Sequence, residues 1–223
     1  MLNIAIVDDG INLKHVKVTT SIMVDSSLKS KQWRGTKSIS HGTLCAKIIE
    51  KNLSNNVNAY LHSIKVVNCN GKGTIAQLCK GIDICIKNKY KLINISLGSV
   101  KESDMEKLKS VIDRAISYGH IIIAADSNEQ LVSYPSHFEN VIAARFTAKA
   151  VKGLYCYKSR KSAFGLHHDS HWNLELGGER IGMPPANSFA APLLTAQVAK
   201  ILCNEDCNVF KVIQLLKKGC VNT

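Results

Sequence analysis

The sequence predicts an α/β protein of three layers, αβα, with a mainly parallel central sheet. Three observations carry this. Short apolar runs rich in β-branched residues recur along the chain, at 3–8, 60–67, 92–96, 120–125 and 141–146. Segments of helical periodicity lie between and after them, at 41–53, 74–87, 103–118, 188–202 and 208–218. Alternation of this kind implies βαβ units whose helices cover both faces of one sheet. The hydrophobic share of 45% is enough to fill such a core.

Each element has a local reason. Ile4-Ala5-Ile6-Val7 is apolar at every position, as a strand covered on both faces must be, and it stops at Asp8-Asp9-Gly10. The segment from Ser40-His41-Gly42-Thr43 onward repeats apolar residues at helical spacing. Asn70-Gly71-Lys72-Gly73 is a loop between a strand and a helix. Ser103-Asp104-Met105-Glu106 reads as a capping box opening the next helix. Pro184-Pro185-Ala186-Asn187 precedes a long apolar helix that starts at Ser188. No repeat, linker or low-complexity tract interrupts the chain, so residues 1–223 are read as one domain. In an open α/β sheet the site lies beyond the C-terminal strand ends. Asp8 ends the first strand and Asn128 follows the fourth, which places both at that edge.

Composition narrows the function. The formal net charge is +12, yet Lys29, Lys31, Arg34, Lys37, Lys87, Lys89, Lys91 and Arg160 are scattered. No basic stripe with interleaved aromatics appears, so nucleic-acid binding is not favoured and an acidic peptide partner is the better fit. No apolar run approaches membrane-spanning length, about 18–20 residues. The first residues lack the basic, apolar and small-residue succession of a signal peptide. Most of Cys45, Cys69, Cys79, Cys85, Cys156, Cys203, Cys207 and Cys220 sit inside apolar patterns, as buried free thiols do. Reduced thiols and a cytoplasmic location are the expectation. With no CxxC pair, structural zinc is not expected. His167 and His171 are spaced i,i+4 but lack the Glu of HExxH, so a polar loop explains them as well, and no metal or cofactor is expected. Homo- and hetero-oligomers both stay open.

The residues suited to chemistry are Asp8, His41 and Ser188. Taken singly, each has an ordinary use: a turn Asp, a helix-start His, a Ser capping a helix. Together they stand in the chain order Asp, His, Ser, one of the known orders of a nucleophilic triad. The segments that hold them, with Ala124-Ala125-Asp126-Ser127-Asn128 and Asn94-Ile95-Ser96-Leu97-Gly98, resemble those of the subtilisin-like serine proteases (subtilases, peptidase S8), over nearly the whole chain.

The resemblance implies a subtilisin-like fold and a serine endopeptidase working through an acyl-enzyme. Asp8 would orient His41, His41 would act as general base, and Ser188 would be the nucleophile. Asn128 would join the Ser188 N–H in an oxyanion hole. Ser96, Leu97 and Gly98 would bind substrate backbone, with Gly73 on the other side and Ser133 at the floor of the side-chain pocket. Because Ser133 is uncharged, no strict demand for a charged residue at the cleavage site is expected. Four positions depart from the family pattern. Asp9 replaces Ser or Thr and adds charge that would raise the imidazole pKa. Ala186 and Asn187 replace Gly and Thr, and Ser127 replaces Gly. The stretch 45–55 has no carboxylate set beyond Glu50, so calcium dependence is not expected. The chain starts almost at the Asp-bearing strand, where family members usually carry an earlier segment and often a propeptide. That favours a restricted substrate, such as a precursor or an acidic leader peptide. The alternative is a non-catalytic protein that holds peptides by strand addition.

Overall fold

A nine-stranded sheet carries the site, in the order β3-β2-β4-β1-β5-β6-β7-β9-β8. Its strands are β1 (Leu2–Asp8), β2 (Thr20–Val24), β3 (Ser30–Gln32), β4 (Ala59–Lys65), β5 (Leu92–Ile95), β6 (Ile121–Ala125), β7 (Ile142–Phe146), β8 (Tyr155–Cys156) and β9 (Ala163–Leu166). All neighbouring pairs are parallel except those of the edge strands, β3 on β2 and β8 on β9. A separate hairpin pairs β10 (Asn173–Leu176) with β11 (Glu179–Gly182). The helices are α1 (His41–Asn52), α2 (Ile75–Lys87), α3 (Met105–Ser117), α4 (Asn187–Asn204) and α5 (Val209–Lys218). This computed structural model describes residues 1–53, 57–68, 70–129, 131–150, 153–160 and 162–220.

Period-two alternation sorts the sheet's side chains into two cores. From β1, Ile4 and Ile6 face α1, α4 and α5, while Ala5 and Val7 face α2 and α3. From β6, Ile121 and Ile123 join the first core, and Ile122 and Ala124 the second. Both faces are covered, which is why these strands read as unbroken apolar runs. Helix α4 is apolar nearly all round because it crosses the middle of one face, packing on β5, β6, β7 and α1.

The chain runs from β1 to one side through β2 and β4, and returns to the other side with β5. Strand β1 is therefore the point where the order reverses, and a crevice opens beyond its C-terminal end.

Three expectations need correction. Ser103 caps nothing: it lies in a 3₁₀ turn (Glu102–Asp104), and Asp104 flanks α3 without a capping bond because its Oδ2 accepts from Ser99 Oγ at 2.6 Å. Capping boxes form instead at Ser40 with Thr43 and at Thr74 with Gln77. Helix α4 begins at Asn187 after Ala186, so Ser188 is its second residue and not its cap. Cys156 is bonded to Cys220, tying β8 to the chain beyond α5, while Cys45, Cys79, Cys85, Cys203 and Cys207 are free. Cys69 and residues 54–55 of the calcium-loop stretch lie outside the described residues.

Candidate active site

Asp8 leaves β1 with its side chain buried, and its Oδ2 accepts from His41 Nδ1 at 2.9 Å. The contact requires the start of α1 to rest on the end of β1. Gly42 permits it, since a Cβ there would stand 2.6 Å from Gly10 O and 3.1 Å from the Asp8 Cβ. Asp9 reinforces it. Its carboxylate accepts the N–H groups of His41, at 3.2 Å, and Gly42, at 2.8 Å, at the positive end of the helix. The second acid is thus an N-terminal anchor for α1 as well as a nearby charge. Burial, and then the charge of Asp8, hold Asp9 above the usual carboxylate value.

Nδ1 is occupied by Asp8, which leaves Nε2 as the nitrogen that can take a proton. Burial alone disfavours the imidazolium. The contacts with Cys45 and with Asp8 outweigh it, and His41 lies above the ordinary 6.5. Complete burial raises the Cys45 thiol itself, so it is neutral near pH 7 and the Asp8 carboxylate is the effective charge. Cys45 Sγ lies 3.6 Å from His41 Nδ1, 3.5 Å from Ser96 Oγ and 3.8 Å from Ser188 O. That last carbonyl is available for a reason. Pro192, four residues on inside α4, has no N–H to give it.

Ser188 stands in the first turn of α4, and the neighbouring Phe189 ring packs on His41 with centroids 4.8 Å apart. Among the described residues, no hydrogen bond joins Ser188 Oγ to the imidazole. Such contacts often tighten only once substrate is bound. Beside Ser188 opens a cavity of about 200 Å³ lined by Ser96, Leu97, Gly98, Asn128 and Ser133, together with Asp126. Gly98 allows the 96–98 segment to approach the 133–135 segment, since a Cβ would meet Tyr134 O at 2.6 Å. Gly73 is exposed on the turn before α2 and is not among the lining residues.

Asn128 Oδ1 accepts the Asn187 N–H at 2.8 Å, which fixes the amide and leaves its Nδ2 to donate. Asn187 is the residue that sequence reasoning undervalued. Its Oδ1 accepts from Phe146 N at 2.9 Å and its Nδ2 donates to Ser127 O at 2.9 Å. One buried amide therefore links the start of α4, the end of β7 and the loop after β6. Asp126 was also passed over, although a carboxylate two residues before the Asn was visible. His167, His168 and His171 follow β9 outside any helix, so their i,i+4 spacing has no helical face to act on. His168 Nε2 meets Met183 O at 3.0 Å.

An acid, an imidazole, a helix-borne serine and a donor amide at the switch point of a parallel sheet define the subtilisin-like class. Solved structures share the fold. The solved structure of sphericase matches with a TM-score of 0.74 at 20% identity, covering 97% of this chain and 82% of that one. A cold-adapted subtilisin-like serine proteinase matches with a TM-score of 0.66 at 18% identity, over 97% and 81%.

The chain belongs to the subtilase family, whose model matches residues 2–209. Subtilisin DY of Bacillus licheniformis is 29% identical over 155 residues, 64% of this chain and 55% of that protein. Subtilisin amylosacchariticus of Bacillus subtilis subsp. amylosacchariticus is 30% identical over 158 residues, 64% and 40%. The matched region thus spans about half the length of these relatives or less.

Proposed function

We propose that this protein is a serine endopeptidase. The observation that carries the reading is the 2.9 Å bond from His41 Nδ1 to a buried Asp8, set beside a serine in the first turn of α4. In this reading His41 Nε2 takes the proton of Ser188 as its Oγ attacks a peptide carbonyl. The imidazolium, held by Asp8, then protonates the leaving amine. The oxyanion is met by the Asn128 amide and by backbone N–H groups at the start of α4, aided by the helix dipole. Water releases the acyl group by the same steps in reverse. Segment 96–98 receives substrate backbone by strand addition. The +12 charge favours an acidic peptide, such as the leader of a precursor.

The test is labelling of the purified protein with a fluorophosphonate. Wild type should label, and Ser188→Ala and His41→Ala should not. A folded wild-type protein that binds peptide but takes no label would make this a peptide-binding relative without hydrolysis.

A further inference from the structure

Four cations that are dispersed in the sequence meet on one exposed face beside the crevice. Lys29 and Lys31 lie next to and on β3, and Arg34 and Lys37 on the segment that leads from β3 into His41. All four are exposed, and among the described residues none is within ion-pair distance of a carboxylate. Between Asp25 and Glu50 the sequence holds no acid. Asp25 itself is turned to its own loop, where its Oδ1 accepts from Ser27 N, Ser27 Oγ and Lys29 N. The neighbouring strand β2 carries no charge, and β3 is an edge strand, exposed at every position.

The pairing register ties this face to the site. Lys31 is opposite Met23, Met23 opposite Lys65, and Lys65 opposite Asp8, so Lys31 and Asp8 stand in one row across the sheet. Three strand spacings separate them, about 14 Å, which an extended peptide covers in about four residues. In the middle of the row Lys65 donates to Asp9 O and Val67 O and lies 5.9 Å from the centre of the Trp33 ring. The segment after β3 is fixed against β2 and the turn after β1. Trp33 N donates to Ser21 O at 2.8 Å, Thr36 N to Ile11 O at 3.0 Å, and Ser40 Oγ to Gly10 O at 2.6 Å. The cations are carried on ordered backbone, so binding has little main chain to immobilise.

We propose that this face docks an acidic, extended segment of the substrate, about four or more residues from the cleaved bond. The inference rests on the peptidase reading for the bond that is cut. It gives a place to an acidic preference that net charge alone would spread over the whole molecule. Carboxylates of the segment meet four unpaired cations, and its main chain can pair with the open edge of β3. A neutral segment gains only the main-chain pairing.

The probe is a neutral peptide extended on either side by a run of Glu or, for comparison, a run of Gln. Binding is measured by fluorescence anisotropy on Ser188→Ala. The Glu-run peptide should bind at least about tenfold more tightly than the Gln-run peptide, an advantage that falls as salt is added. Replacing Lys29, Lys31, Arg34 and Lys37 together by Gln should bring the two peptides within about twofold of each other. A control replaces Lys51, Lys87, Lys89 and Lys200 by Gln. It removes the same charge from exposed positions toward or just past the far ends of α1, α2 and α4, helices that run away from the crevice. The control should keep the advantage. Equal loss in both variants would mean that net charge alone attracts the peptide, and overturns the proposal. A first variant that keeps the full advantage overturns it as well, and leaves the lysines of β3 as guards of an open edge. Tighter binding of a short oligothymidylate than of the Glu-run peptide would make the partner a nucleic acid, and also overturns it. If the fourfold variant does not fold, Lys31→Glu decides: it should weaken the Glu-run peptide at least about threefold, and no change sinks the idea. Preference for the Glu run in a protein that takes no fluorophosphonate would sink the peptidase reading and keep the surface. Labelling without that preference would do the reverse.

Discussion

His41 is asked to accept a proton while sitting against a buried carboxylate that favours the protonated ring. General-base activity needs the neutral imidazole, so kcat/KM should rise with pH along a limb above 6.5. Asp8→Asn should move that limb down toward 6.5 and lower kcat. The same coupling stabilises the fold below the ordinary imidazole value and is lost as pH rises through the raised one. Asp9→Asn removes a charge beside the imidazole and one of the two acceptors that hold the start of α1. Its limb should shift to lower pH with a stability loss of about 1–3 kcal/mol, and a titration of rate against pH with a melting curve checks both. Asn128→Ala should cut kcat by about 10²–10³, the size found when subtilisin itself loses this donor. Asn187→Ala should lower kcat with a smaller effect on KM, because it frees the loop that aims Asn128. At this scale the sequence was most legible where a local segment fixes a residue's place: Asp8 meets His41, and Asn128 lines the crevice. It was least legible where a role depends on distant partners. Asn187 looked like a departure from a pattern, and its three bonds reach segments 41 to 60 residues away.

Helix α4 joins the candidate nucleophile to the sheet through a buried polar chain. Thr195 Oγ1 donates to Asn94 Oδ1 at 2.9 Å, and Asn94 Nδ2 donates to Ser96 Oγ at 2.9 Å. Asn94 and Thr195 are both fully buried. Thr195→Val conserves shape but strands the amide oxygen, and should cost about 1–3 kcal/mol by denaturant melt, with Thr195→Ser close to wild type. The long elements were readable because burial imposes a period on their sequences. Strands β1, β5, β6 and β7 and all five helices fall within a few residues of their expected bounds. Strand β3 (Ser-Lys-Gln) is exposed throughout, and β11 nearly so, so neither carries an apolar signal to read. Ser103 failed as a cap because it lies inside the 3₁₀ turn that runs into α3, a turn no local pattern reveals.

Charge and covalent closure act on the molecule as a whole. A net charge of +12 should speed encounter with acidic peptides, so their kcat/KM should fall with added salt more steeply than that of neutral peptides of equal length. The Cys156–Cys220 bond closes a loop of sequence separation 64, and its removal by Cys156→Ser with Cys220→Ser should cost about 2–4 kcal/mol. An even number of cysteines could not identify this pair, because the pairing depends on where β8 meets the end of the chain. The strand order of the sheet has a consequence in time. The segments around the crevice are contributed by residues 8, 41, 96, 128 and 188, so a chain being synthesised carries its acid and its imidazole long before its serine. In the proposed activity a portion that ends before α4 lacks the nucleophile, so cutting waits until α4 has docked. The first appearance of the proposed activity during refolding would serve as a clock for the completion of the whole sheet.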